Sequence, residues 1–273
     1  EGLDGKYVEE ESEEWTGETD TIATANEKFF TGFTYDKNSE KNVTEGTITG
    51  DGKLVLKLYY TRDEHTVTYM VDSRQYGEID TYKYGADIAE LREEPVKEGY
   101  TFSGWNGELP EVMGTEDVVI SGSFTINSYN VAYELDGQPY GETERYEYGS
   151  DVSVRPAPEV PAGYHFSGWS QKEDFKMPAK DVKIEGSIIA NDDTKYRVEH
   201  YKENLNGTFT LAEGRDETGT TGTPVTEEPK KYEGYTYDAE AGEDPLASGT
   251  IAGDGSLTLK LYYTRNSYKV TYK

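Results

Sequence analysis

GTITGDGKLVLKLYYTR, residues 46–62, returns as GTIAGDGSLTLKLYYTR at residues 249–265. Of the 17 positions, 14 agree; the exceptions are Thr49/Ala252, Lys53/Ser256 and Val55/Thr258. The Asp51-Gly52 and Asp254-Gly255 dipeptides predict a hairpin turn of type I′, in which both central residues take positive φ. Beyond the turn, Leu54, Leu56, Leu58 and Tyr60 alternate with Val55, Lys57, Tyr59 and Thr61. That period of two predicts a strand with its Leu face on a core. A stretch repeated this closely, about 200 residues apart, describes an array of modules.

The flanking sequence gives the order of the array. Residues 1–63 form a first unit, M1, and residues 194–266 repeat it as M2. EGLDGKYVEEE at 1–11 aligns with ENLNGTFTLAE at 203–213, and NEKFFTGFTYD at 26–36 with PKKYEGYTYD at 229–238. A short helical turn is expected before Gly32 and Gly234, since Gly commonly follows a helix end. M2 opens with KYRVEHYK at 195–202, for which M1 has no counterpart, so M1 reads as a module lacking its first strand. Residues 64–127 form a different unit, B1, which residues 128–193 repeat as B2 at an offset of 64 without a gap. Strands are expected at 66–71, 79–84, 101–105 and 117–125, with equivalents in B2. ADIAELREEPVKEG, residues 86–99, is expected to hold one short helix, whereas three prolines in the B2 counterpart SDVSVRPAPEVPAG argue against one there. SYKVTYK, residues 267–273, matches the opening strand of a further B unit. The joints, RDE at 62–64, INS at 126–128, ANDD at 190–193 and RNS at 265–267, are too short to bend freely.

Composition agrees with small modules. Only 34% of the residues are hydrophobic, and 24 of the 273 are Tyr. A Tyr ring covers a thin core while its hydroxyl stays in water. A net charge of -27 repels nucleic-acid phosphates and anionic headgroups, so neither is an expected partner. No apolar run reaches membrane-spanning length, so no membrane insertion is expected of this stretch. The chain has no cysteine, which fits the cytosol or the exterior of a Gram-positive type of cell. Residue 1 falls inside a repeat, so the sequence reads as a piece of a longer protein whose targeting and anchoring signals lie outside it.

Residues with chemistry are present but scattered. His65, His165 and His200 fall at no metal or triad spacing. EEESEE, residues 9–14, reads as a solvated charged stretch. Asn191-Asp192-Asp193 and the Gly50-Asp51-Gly52 turns offer oxygens that a hard cation wants, but without EF-hand spacing, and a hydrated linker or turn is the expectation. Trp105 and Trp169 close GYTFSGW (99–105) and GYHFSGW (163–169). An indole there could stack on a sugar; as core, each buried aromatic contributes on the order of 1.5–3 kcal/mol, and core is the expected role. Gly104 and Gly168 are expected at positive φ or in close packing rather than in a phosphate loop. Trp15 fits none of these patterns.

The GYTFSGW and GYHFSGW motifs, each after a Tyr-Gly turn and before a Val/Ile-rich strand, resemble the Listeria–Bacteroides repeat, the B-repeat of internalin-type surface proteins. The M units, with VEHYKENLNGTFTLAE (198–213), TGTTGT (218–223), YEGYTYD (232–238) and LKLYYTR, resemble MucBP-type repeats of bacterial mucin-binding surface proteins. The resemblance implies β-grasp-like folds and an extracellular, cell-wall-attached protein with a stalk or adhesin role. The expected class is therefore β-rich α+β: an elongated tandem array of small β-grasp-like modules with little helix. The expected function is a non-enzymatic stalk presenting a distal binding domain, with repeats that bind host mucin or another glycan as the alternative; the expected partner is host mucin, another glycan or another extracellular protein. No cofactor, metal or catalytic residue is expected, and 267–273 is expected to pair with another molecule, in the M1 gap.

Overall fold

The computed structural model describes all 273 residues, in 24 strands and no helix. The chain forms two compact units, Glu1–Asn127 and Ser128–Lys273, which divide at the joint between B1 and B2.

In the second unit, the M2 strand Thr194–Glu203 is central. It pairs antiparallel with Phe209–Gly219 and parallel with Thr258–Arg265, whose other edge takes Tyr235–Tyr237. The first and last long strands of the segment thus lie side by side. Val198, Leu259, Leu261 and Tyr263 are at most 1% exposed and form its core. The Leu face of the repeated stretch therefore points inward, as its alternation predicts. Tyr262 on the opposite face is covered as well, stacked on Tyr201 at 5.0 Å.

B1 and B2 share one plan. Glu64–Val71 pairs antiparallel with Asp80–Lys83 and Arg74–Gln75, and parallel with Val118–Gly122. Ser128–Leu135 repeats this with Glu144–Glu147, Gln138–Pro139 and Val182–Gly186. The strand expected at 117–125 is in fact two. After Gly122 the chain changes partner, and Phe124–Ile126 pairs with Tyr100–Phe102. Val67, Tyr69, Met113 and Ile120 form the B1 core. Val131, Tyr133, Val152, Trp169, Met177 and Ile184 form that of B2.

The helical part of the expected α+β class is absent: the chain is all-β. At 86–99 the backbone bonds that a helix would need go sideways. Gly85 and Ile88 N–H donate to Met113 and Glu111 carbonyls, and Met113 N–H donates to Ala86. Arg92 then reaches back to the carbonyls of Tyr76 at 2.9 Å and Glu78 at 2.7 Å and to the Asp80 carboxylate at 2.7 Å. Its guanidinium covers the Tyr69 ring at 4.6 Å. Before Gly32 and Gly234 there is a tight turn, closed by Phe33 N–H to Phe30 and Tyr235 N–H to Tyr232, instead of a helical one.

The GDG turns are not type I′. Gly52 and Gly255 have positive φ, at 65° and 76°, while Asp51 and Asp254 do not. Each turn closes from the glycine N–H to Thr49 or Ala252. Their two arms also part company. Ser248–Thr250 pairs with Pro224–Thr226, and Glu45–Thr47 with Ile22–Thr24. Only one bridge joins the arms, Val43 to Lys57 and Leu246 to Lys260.

Residues 1–21 of M1 form no strand, and M1 keeps only the pairs Ile22–Thr24 with Glu45–Thr47 and Phe33–Tyr35 with Tyr60–Arg62. Leu54, Leu56 and Leu58 are half-buried. Residues 267–273, expected as a strand, form none; Tyr268, Val270 and Tyr272 are 73%, 72% and 93% exposed.

Candidate functional site

The histidines stand apart, each with its own partner. His65 lies 3.8 Å from the Asp117 carboxylate, and His165 Nδ1 is 2.7 Å from the Asn191 amide oxygen. His200 is fully buried, with Nδ1 bonded to the Tyr263 hydroxyl at 2.9 Å. Its Nε2 has no hydrogen-bond partner and sits 3.5 Å from Glu227. Burial pushes the His200 pKa down; Lys230 and Arg215 add to this, and Glu227 and Glu213 oppose it.

No group of three or more His, Asp or Glu is arranged to hold a metal ion. Asn191 is a joint: its N–H donates to Gly163 and its carbonyl accepts from Thr221. The Thr49 hydroxyl and Lys53 N–H hold the Asp51 carboxyl below its usual range, and Ser256 does the same for Asp254. The turn carboxylates therefore serve their own backbone. In the acidic stretch 9–14, Glu11 and Glu13 pair with Lys28, and Glu13 also accepts from the indole of Trp15, which is 80% exposed.

Trp105 and Trp169 join their cores, each bonded through its indole N–H to a carbonyl, of Arg92 at 2.8 Å and of Pro156 at 3.3 Å. Gly104 and Gly168 take the positive φ expected of them, 79° and 89°, and turn each indole inward. The alignment of B1 with B2 hid one residue. Arg155 makes the reach in B2 that Arg92 makes in B1, to Tyr140, Glu142 and Glu144, although the offset of 64 places Pro156 opposite Arg92. The only available signal was an Arg one position out of register.

The indoles differ in one respect. Trp105 is half-buried at the floor of an open cleft of about 740 Å³, with Asp72, Ser73, Ser103, Asn106 and Ser121 around it. In B2 the positions of Met70 and Ser121 are Glu134 and Glu185, both paired with Lys183. Ser170 Oγ, at the position of Asn106, accepts the Glu185 N–H, and Trp169 is 6% exposed. Thus B1 presents hydroxyl and amide groups and the Asp72 carboxylate beside an indole, where B2 adds an ion-pair network at the positions of Met70 and Ser121. Ser73 there holds a left-handed φ of 63°, which costs a non-glycine residue of order 1 kcal/mol. A second, smaller cleft of about 390 Å³ lies on M2 between Glu203, Leu205, Tyr235 and Arg265.

Comparison with known proteins finds a class of repeat to which the B segments are similar. The model of the Listeria-Bacteroides repeat domain matches residues 65–126 and 129–194. Internalin H of Listeria monocytogenes is 28% identical over 185 residues, 60% of this chain and 32% of its own length. A Gly-rich membrane protein of Evansella cellulosilytica is 29% identical over 201 residues, 65% of this chain and 22% of its own length. The chain thus spans between a fifth and a third of these relatives. A solved structure, the Streptococcal High Identity Repeats in Tandem (SHIRT) domains 3-4 from a cell surface protein, is 16% identical and covers 50% of this chain and 98% of its own, at a TM-score of 0.26. That likeness is too slight to argue from.

Proposed function

We propose that this chain is a non-enzymatic spacer segment of a bacterial surface protein, lying outside the cell and carrying a more distal binding region away from it. The observation that carries the reading is the repetition itself. Two kinds of segment recur in order with joints of three or four residues, and each recurrence conserves core and turn positions rather than a set of convergent polar groups. The parallel pairing of the first strand with the last in M2, and with the penultimate in B1 and B2, supports a β-grasp-like module for all three, and the motifs of M1 and M2 support a MucBP-type repeat. The relatives' names, an internalin and a membrane protein, support the surface location, and the acidic charge suits a hydrated spacer on an anionic wall.

Small-angle scattering tests the reading. Modules of about 64 residues are roughly 27 Å across, so four in line reach about 110 Å with a radius of gyration of about 32 Å, against about 18 Å for one compact body of this length. A value near the lower figure overturns it.

A second reading is favoured by the B1 cleft: recognition of a neutral glycan. A half-buried indole beside the side chains of Ser73, Asn106 and Ser121 suits a sugar ring, and a neutral ligand escapes the chain's field. Ser121→Glu, which installs the B2 residue, is expected to abolish signal on a glycan array while leaving the thermal transition in place. Signal unaffected by the substitution, or no signal beside a positive control, removes the cleft as the site.

A further inference from the structure

In the first unit, the corner Lys83-Tyr84-Gly85 of B1 is seated on M1. The Tyr84 ring occupies the space beside Gly32, where a Cβ would come within 2.2 Å of ring atoms, and it meets the Phe33 ring edge-on at 6.0 Å. Arg62 lies over Phe33 at 4.8 Å and donates to the Tyr84 carbonyl at 2.7 Å. Tyr84 N–H donates to Asp63 at 2.8 Å, and the Lys83 ammonium meets the Glu1 carboxylate at 2.8 Å. Three contacts brace this seat from behind. Arg62 N–H donates to the Glu1 carboxylate at 3.2 Å, Asp63 N–H to the Gly32 carbonyl at 3.0 Å, and the Thr34 hydroxyl to the Asp63 carboxylate at 2.6 Å.

M2 builds the same seat. Arg265 N–H donates to the Glu203 carboxylate at 2.8 Å, Asn266 N–H to the Gly234 carbonyl at 2.9 Å, and the Thr236 hydroxyl to the Asn266 amide oxygen at 2.6 Å. Tyr235 replaces Phe33 beneath Arg265, at 5.5 Å. Gly234 holds φ +76° as Gly32 holds +75°, yet nothing lies within 4 Å of where its Cβ would be. Arg265 is exposed, and Leu205 at the rim is 92% exposed. The cleft of about 390 Å³ is this seat.

We propose that the M2 cleft is a docking socket for the Lys-Tyr-Gly corner of a B-type repeat that continues the chain after Asn266. The residues leading out of the socket fit that occupant. Val270 and Tyr272 stand where B1 has Val67 and Tyr69, which are 1% and 2% exposed in its core, whereas Val270 and Tyr272 are 72% and 93% exposed. The socket also discriminates between corners. Lys83 supplies the cation that Glu1 receives and that Glu203 would receive; B2 has Glu147 at this position, which would set two carboxylates together. A B1-type corner is therefore accepted on an M unit and a B2-type corner is not. The inference rests on the reading of the chain as an array, but scattering tests that array and not the seat, so the two fail separately.

The test is a longer chain in which residues 64–127 are repeated directly after Asn266. Two readouts follow the socket: hydrogen exchange of the second Tyr84 amide, and modification of Arg265 by phenylglyoxal. Protection of the second Val67 and Ile120 amides reports that the added repeat has folded. Both socket readouts are expected to slow at least about tenfold relative to the same chain carrying Tyr84→Ala in the added copy, with Lys83→Glu in that copy giving most of the same loss. A folded repeat that leaves Arg265 as reactive as before, or protection indifferent to both substitutions, overturns the proposal. So does an added repeat that fails to fold after M2 when it folds after M1. Protection of Arg265 in the unextended chain that rises with concentration assigns the socket to a second copy and likewise overturns it.

Discussion

Residues 46–62 and 249–265 are nearly the same sequence, and they end in different environments. In the second copy Leu259, Leu261 and Tyr263 are 1%, 0% and 0% exposed; in the first Leu56, Leu58 and Tyr60 are half-buried. The strand Thr194–Glu203 runs beside the second copy, whereas among residues 1–63 the only strand paired with the first copy's end is Phe33–Tyr35. Local contacts survive in both: Lys28 and Lys230 N–H each donate to the hydroxyl of the final Tyr, at 2.8 and 2.9 Å. A strand's alternation thus states which face is ready to be buried. Whether burial happens is decided by a neighbour far away in sequence.

The largest expected break in the comparison is at this Leu face. Leu261→Ala should destabilise the second unit by about 2–5 kcal/mol, because it empties a fully buried site. Leu58→Ala, at the equivalent position, should cost roughly 1 kcal/mol. Urea unfolding read by hydrogen exchange in each unit would measure both; equal losses would mean that the first copy is as well covered as the second.

Next in size is the turn. A Cβ on Gly253 would lie 1.9 Å from the Ala162 carbonyl oxygen, while Gly50 in the first copy has nothing within 4 Å. Neither glycine has positive φ, so the two differ only in space. Gly253→Ala is expected to cost about 1–3 kcal/mol and Gly50→Ala to stay within about 0.5 kcal/mol, as calorimetry of the two variants would show.

A smaller difference concerns pH. His200 is held below its ordinary pKa of 6.5 chiefly by burial. The unfolded chain then binds a proton more readily than the folded one as pH falls below 6.5, so stability present above that pH is lost on the way down. His200→Gln should flatten the pH dependence of the second unit between neutrality and pH of about 5, above the range where carboxylates titrate. A slope unchanged by the substitution would remove His200 as its source.

The smallest effect is at the shared ion pairs. Lys28 pairs with Glu11 and Glu13, and Lys230 with Glu213, all near the surface. Replacing either Lys by Ala should move the thermal midpoint little and alike in both copies, and a large difference between them would contradict the view that only distant neighbours distinguish the copies.

These differences mark how far the sequence could be read. The inward Leu face of the second copy and the positive φ of Gly104 and Gly168 are legible because each is a local or periodic property. Asp-Gly alone does not set the turn type, because the arms diverge to other partners and do not impose hairpin twist. At 86–99, Ile88 and Leu91 stand three apart, a spacing that suits one face of a helix. A long-range ladder to 111–113 and the reach of Arg92 override it. Parallel pairing of the first strand with a late one, the B1 cleft and the M2 socket all depend on residues some 30 to 60 positions apart, for which a single sequence offers no periodic signal.

The parallel pairing has one more consequence. In M2, Arg197–Lys202 runs beside Thr258–Tyr263 in the same direction, so the entry of the first strand and the exit of the last lie at opposite ends of the ladder. Tension applied along the polypeptide therefore loads every bond of that ladder together, in shear, instead of peeling them one at a time. B1 and B2 hold five parallel pairs each in the same arrangement. A tether made of such segments would yield at high force and in discrete steps, one segment at a time.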